Sequence, residues 1–226
     1  MTGPMGSTLR VGAVLLAAGA GSRLGHRPKC LLELDGVTLI RRQLSALAGA
    51  GVDPVVVVLG HHADVIEAAL QSWPVSVVHN PRPDDGQVSS QRIGLAALSQ
   101  GLTEPLSGSL DAILVALADQ PLLNAQDIAA LIAAYWQRPA GTQVMHPRVQ
   151  GQRGNPVVFS PAVRDQILAG AADFGCRQWQ QAHPAAVAPF DTDNRHYKID
   201  IDTPEDIERF ERDTRQRLRW PASPPV

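Results

Sequence analysis

The stretch Val11–Lys29, VGAVLLAAGAGSRLGHRPK, constrains what this chain can fold into more than any other. It opens as an apolar run without polar alternation, the pattern of a strand covered on both faces of a parallel sheet, and then breaks into glycine and small residues. That is the outline of a strand feeding a phosphate loop. Gly19 and Gly21 lack a Cβ, so the main chain can take positive φ and turn successive N–H groups toward one anion, while Arg23 and Lys29 add positive charge. Two better-known glycine fingerprints fit less well. A P-loop needs Gly-Lys followed by Ser or Thr, whereas Lys29 follows Pro28 and precedes Cys30. A dinucleotide loop permits the spacing of Gly19, Gly21 and Gly25, but the next strand, Val55–Leu59, runs into Gly60-His61-His62 without the ribose-binding acid.

The 226 residues carry 20 basic and 22 acidic side chains, a net charge of -2. No global field then draws nucleic acid or an anionic membrane, and the expected partner is a small molecule. Cys30 and Cys176 are the only cysteines and form no C-x-x-C, which suits a reducing cytoplasm and leaves no basis for thiolate-held metal. The seven histidines form no metal set, since His61 and His62 are adjacent and diverge while the others are scattered. Val11–Ala20 has the outline of a signal-peptide apolar region, but Arg10 is a thin basic flank and the stretch reads as a core strand. No apolar run reaches the roughly 18 to 20 residues that span a bilayer.

Strand-like and helix-like segments alternate along the chain, which predicts one domain over residues 9–215 between a disordered tail at 1–8 and a second tail at 216–226. Leu39, Ile40, Leu44 and Leu47 outline an amphipathic helix, Val55–Leu59 and Val75–Val78 read as strands, and Ala63–Leu70 as a short helix between them. Ser89 or Ser90 is placed to cap the next helix. Ile113–Leu117 is another apolar strand, ending in Ala118-Asp119-Gln120-Pro121. Strands of a doubly wound sheet carry their site at the carboxyl ends, so Asp119 is placed to meet whatever the first loop holds, and it is the foremost metal ligand. Mg²⁺ favours carboxylate and phosphate oxygens, so one or two aspartates plus a nucleotide suffice to bind it. A simple cap is the competing role for Asp119, but Asn124 with Asp127 already caps the helix that follows.

Val144–Val149 and 156–159 predict a hairpin that departs from the strand–helix rhythm, and Ser160, Pro161 and Gly170 bound a short helix. Tyr197–Asp202, YKIDID, alternates strictly and predicts a strand with Lys198, Asp200 and Asp202 on one face. Two acids on one face need a cation or hydrogen bonds to offset their repulsion. Thr203, Pro204 and Asp206 then open a capped helix.

Leu16, Ala17, Ala18, Gly19, Gly21, Arg23, Gly25, Pro28 and Lys29 together resemble the L-A-A-G-x-G-x-R-x-G-x-x-(P)-K signature of sugar-phosphate and cofactor nucleotidyltransferases, the MobA-like NTP transferases among them. Further along, Gly86–Arg92 resembles the family's G-x-x-S-S-x-R segment, Arg153-Gly154-Asn155-Pro156 its R-G-x-P motif, Asp173, Gly175 and Arg177 a D-x-G-x-R element, and Ile199–Asp206 its I-D-I-D-T-P-E-D segment. The resemblance implies a three-layer, Rossmann-like α/β fold with a mostly parallel, doubly wound sheet and a small β-hairpin excursion. It implies a transfer of NMP from an NTP to a phosphorylated acceptor, with release of pyrophosphate. Loop amides would wrap the triphosphate, Lys29 and Arg23 would neutralise the leaving group, and Mg²⁺ on Asp119 and Asp202, with Asp200 as second choice, would activate the α-phosphate. Ser89, Ser90 and Arg92 would lie against base and ribose, and Arg153, Gly154, Asn155, Asp173 and Arg177 against the acceptor.

Within the superfamily the motifs look most like the molybdenum cofactor cytidylyltransferases, which implies CTP, a molybdopterin-type acceptor and a molybdoenzyme or its insertion chaperone as partner. Guanylyl-transferring relatives more often carry a double glycine where this chain has Ala18-Gly19. Alternatives remain open: guanylyl transfer or another acceptor, an NAD(P)-dependent oxidoreductase of the nicotine-blue-oxidoreductase type, or a non-catalytic insertion partner of a molybdoenzyme.

Overall fold

Every residue of the first strand, β1 (Val11–Ala17), is buried, as its unbroken apolar run requires. The structure, a computed structural model, describes residues 9–100 and 109–222, so the expected tail at 1–8 lies outside the described residues. Beyond the glycine loop come β2 (Glu33–Leu34) and β3 (Val37–Thr38), joined through Asp35 and Gly36 at φ of 55° and 76°. There follow α1 (Leu39–Gly49), β4 (Val55–Leu59), α2 (Ala63–Ala68), β5 (Ser76–His79), α3 (Gln87–Gln100), β6 (Ala112–Leu117) and α4 (Ala125–Trp136). The second half holds β7 (Val144–Val149), β8 (Gln152–Arg153), β9 (Val157–Phe159), α5 (Pro161–Ala169), α6 (Cys176–Ala182), β10 (Val187–Asp191), α7 (Pro204–Thr214) and β11 (Leu218–Arg219).

The main sheet runs β10-β7-β9-β6-β1-β4-β5, with β8 paired to β7 off this path. β1 pairs in parallel with β4 and β6, β4 with β5, and β7 with β10. Side-chain alternation along these strands divides the core in two. Val11, Ala13 and Leu15 join residues of α1 and α4 on one face, while Val14 and Leu16 join residues of α3, α5 and α6 on the other. The result is the three-layer, mostly parallel α/β fold that the resemblance implies. Among the described residues no helix is long and apolar enough to cross a membrane.

Two expectations change, while the hairpin over 144–159 departs from the strand–helix rhythm as expected: β9 lies antiparallel between β6 and β7, and the short β8 pairs with β7 off the main path. Gln150 and Gly151, at φ of 51° and 77°, make the two-residue turn between β7 and β8. Residues 197–202 form no strand, but a single 3₁₀ turn, Arg195–Lys198, followed by irregular chain. Their backbone is satisfied elsewhere, since Asn155 N donates to Tyr197 O and Ile201 N to Asp119 O, and no ladder remains to be made. The expected tail at 216–226 is tied down at its start, where β11 pairs with β2 and buries Leu218. Residues 223–226 lie outside the described residues.

Close packing of α3 on the sheet depends on Gly94. A Cβ there would overlap Val14 Cγ1 and stand 2.7 Å from Val58 Cγ2, both on stiff β-branched side chains. Alanine is the better helix former by about 1 kcal/mol, but overpacking a dense core costs about 1–3 kcal/mol. Gly94→Ala is therefore expected to lower the urea midpoint at unchanged m-value; a raised midpoint would mean that helix propensity wins.

Candidate active site

A cleft of about 910 Å³ opens at the carboxyl ends of β1 and β6. Its floor is the start of the glycine loop, with Leu16, Ala18 and Gly19 exposed to it, and Lys29 where the loop returns. The loop owes its shape to Gly21 and Gly25, both left-handed, with Leu24 N and His26 N donating to Gly21 O at 2.8 and 3.0 Å. A Cβ on Gly21 would overlap the carbonyl oxygen of Arg27, so only glycine fits this turn. The β4–α2 turn braces the loop, with His61 N donating to Ala18 O at 3.3 Å and His62 Nε2 lying 3.3 Å from Ala20 O.

Lys29 is the centre of the cleft. Its ammonium pairs with Asp119 Oδ2 and, at 2.5 Å, with Asp202 Oδ1. Burial alone would lower its pKa, but the two carboxylates outweigh that and hold it above the ordinary lysine value. Burial pushes the Asp119 carboxyl up, Lys29 pulls it down, and Asp202 adds to the rise. Asp200 is exposed by area, yet loss of water around its carboxyl and repulsion from Asp119 and Asp202 push it up too. One ammonium among three carboxylates leaves an excess of negative charge.

Asp119 Oδ1 is buried and has no hydrogen-bond partner among the described residues. An orphaned carboxylate oxygen beside two further acids fits a cation better than it fits solvent-free burial. The described residues contain no ready-made cluster of three His, Cys, Asp or Glu ligands. Two carboxylates open to a cleft large enough for a nucleotide do fit Mg²⁺ or Mn²⁺, which take further oxygens from phosphate and water.

The acid-bearing segment is held in place from several sides. Gln120 Nε2 donates to Tyr197 O at 3.2 Å, Gln43 Nε2 to Gln120 O at 2.6 Å, and Tyr197 OH to Asp127 O at 2.6 Å. Gly154 backs this segment so closely that a Cβ would come within 2.5 Å of Tyr197 O. Arg153, Gly154 and Asn155 line the cleft beside this segment, as does Arg177. Among the described residues neither arginine is in an ion pair, so this part of the cleft keeps positive charge to offer an anion.

Other expected residues are placed differently. Ala17 is buried in the core and does not line the cleft, and Arg23 is exposed outside it. Asp173 is exposed and does not line the cleft. Ser89 and Ser90 are not caps, because α3 already begins at Gln87. Buried Asn80 holds both, donating to Ser89 Oγ at 3.1 Å and Ser90 Oγ at 2.9 Å, and of the two only Ser90 lines the cleft. Arg92 does not line the cleft either. Its guanidinium donates to the carbonyls of Ile167, Leu168, Gly170 and Phe174, capping the end of α5.

Gln87, Gln91, Cys176 and Gln181 line the cleft without having been singled out by sequence. Helical spacing could have found Gln91, since Gln87, Ser90 and Gln91 fall at i, i+3 and i+4. α6, which carries Cys176 and Gln181, has no apolar periodicity to announce it.

Residues 13–187 match the family described as MobA-like NTP transferase domain. Nicotine blue oxidoreductase of Paenarthrobacter nicotinovorans is 33% identical over 207 residues, 88% of this chain and 96% of that protein. Among solved structures, a nucleotidyl transferase from Methanothermobacter thermautotroptrophicus superposes with a TM-score of 0.70 at 26% identity, over 90% of this chain and 97% of that one. Rv0371C from Mycobacterium tuberculosis H37Rv, in complex with manganese, gives 0.65 at 26% identity, over 88% of this chain and 97% of that one.

Because Arg92 serves the end of α5, Arg92→Ala is expected to lower unfolding stability by about 2–3 kcal/mol in a denaturant titration while leaving nucleotide affinity close to that of the parent. Loss of affinity at full stability would return Arg92 to the nucleotide.

Proposed function

The chain belongs to the MobA-like NTP transferase family, and from that premise we propose that it transfers the CMP group of CTP to a phosphorylated acceptor of molybdopterin type. The observation that carries this reading is the Lys29 ammonium held between Asp119 and Asp202, at the meeting point of the glycine loop and the end of β6. An acceptor phosphate oxygen attacks the α-phosphorus, forming the new O–P bond. The bond from the α-phosphorus to the bridging oxygen breaks, and pyrophosphate leaves with the electron pair. No covalent enzyme intermediate is needed, and the protein's contribution is positioning and charge neutralisation.

Each residue's part follows from its place. The amides near Ala18 and Gly19 face the polyphosphate, and Lys29, kept protonated by its acidic neighbours, carries positive charge to the leaving group. Ser90, anchored by Asn80, borders the nucleoside, and Arg153 with Arg177 offers charge to the acceptor phosphate. Asp119 and Asp202, with Asp200 nearby, would hold Mg²⁺, which when bound neutralises phosphate charge and makes the α-phosphorus more electrophilic. A molybdoenzyme or its insertion chaperone is the proposed recipient of the product.

A second reading, NAD(P)-dependent oxidoreduction, is favoured by the full-length likeness to nicotine blue oxidoreductase. Against it, the chain after β4 supplies Gly60, His61 and His62 where a ribose diol would need an acid. With CTP, Mg²⁺ and molybdopterin supplied, the proposal expects pyrophosphate release faster than with GTP. Asp119→Asn should reduce that release to below about one-hundredth while circular dichroism shows the fold intact. Normal turnover by Asp119→Asn would overturn the mechanism.

A further inference from the structure

A third apolar cluster is separate from the two that sandwich the sheet. Leu24 enters it from the phosphate loop, Leu34 from β2, and Ile201 from between Asp200 and Asp202. Phe210 of α7 and Leu218 of β11 complete it from the C-terminal side. The two halves of the candidate site, the loop and the acid segment, therefore share one small core, and the C-terminal segment closes it.

That closure is specific. Arg215, left-handed at φ 61°, ends α7 and turns the chain back. Leu218 N donates to Glu211 Oε1 at 3.1 Å, and β11 pairs antiparallel with β2, Leu218 opposite Leu34 and Arg219 opposite Glu33. Trp220 then lies against the phosphate loop itself, its ring centroid 3.8 Å from the guanidinium carbon of Arg27. The carbonyl of this same Arg27 fills the space that any side chain at Gly21 would occupy. Trp220 is thus one residue removed from the tightest turn of the loop, although neither it nor β11 lines the cleft.

We propose that residues 215–220 form a strap that positions the phosphate loop for a nucleoside triphosphate, with Leu218 and Trp220 as positioning residues. The inference rests on the reading of the cleft as a nucleotide site. Its physical content is that loop geometry is set before the nucleotide arrives, so that the ordering cost is not met at binding. By linkage, a nucleotide that favours the ordered loop must in turn stabilise the strap.

The test uses the full chain and its variants Trp220→Ala and Trp220→Phe, with CTP and Mg²⁺, and GTP in parallel, followed by titration calorimetry. Measured where circular dichroism shows the variant fully folded, loss of the ring should weaken nucleotide binding about fivefold and raise KM rather than lower kcat; Trp220→Phe should recover most of the affinity. Hydrogen exchange on the unaltered protein gives an independent readout should Trp220→Ala fail to fold: amides of residues 215–220 should exchange more slowly with saturating nucleotide. Parent-like affinity in Trp220→Ala, or exchange in 215–220 indifferent to nucleotide, overturns the strap and leaves the nucleotide site standing. Absence of nucleotide binding to the unaltered protein overturns both.

Discussion

The site is organised by one electrostatic contact, the ammonium of Lys29 lodged between the carboxylates of Asp119 and Asp202. It joins the glycine loop, the end of a central strand and a segment 173 residues further along the chain. Surface ion pairs contribute little, but this pair sits where Asp119 is 7% exposed, and there an unpaired charge would be costly. A third acid, Asp200, and the unpartnered Asp119 Oδ1 leave the arrangement short of positive charge. Such a deficit is a poor way to stabilise a fold and a good way to receive a cation carrying a triphosphate.

Holding three acids close requires rigid backing. Glycine at 154 lets the hairpin wall press against the Tyr197 carbonyl, and Gln120, buried behind Asp119, takes that same carbonyl with its side-chain amide. Ile201, fully buried, pins the chain between the two aspartates. None of these three touches phosphate in the proposed chemistry, yet together they fix where the carboxylates stand. The β4–α2 turn and the C-terminal segment act on the phosphate loop from its other sides.

Much of this was legible in the sequence, and the reasons are physical. β1 and β6 were readable because strands buried on both faces are apolar without interruption, and Asp119 because a carboxylate directly after such a strand has few structural uses. The capping boxes at Asn124/Asp127 and Thr203/Asp206 form as their spacing predicts. YKIDID misled because burial alternates there without a ladder: Tyr197 and Ile201 point inward, but their backbone partners are a side-chain amide and isolated main-chain groups rather than a neighbouring strand. Arg92 sits in the expected motif yet answers to the carbonyls at the end of α5, a demand invisible until the helix is placed. Leu218 and Trp220 gave no periodic signal, since two paired residues and one ring are too short a pattern to see.

Nucleotidyl transfer and nicotinamide redox chemistry make different demands of one cleft: the first needs a metal-bound triphosphate, the second a dinucleotide and no metal. Ligand-dependent thermal stabilisation separates them, because a ligand that binds only the native state raises its melting temperature by mass action. The protein is melted with CTP, GTP, ATP, UTP, NADH and NADPH, each with Mg²⁺ and with chelator. The account predicts a rise with CTP that exceeds the rise with GTP and disappears with chelator. A rise with NADH or NADPH alone, indifferent to chelator, would contradict it.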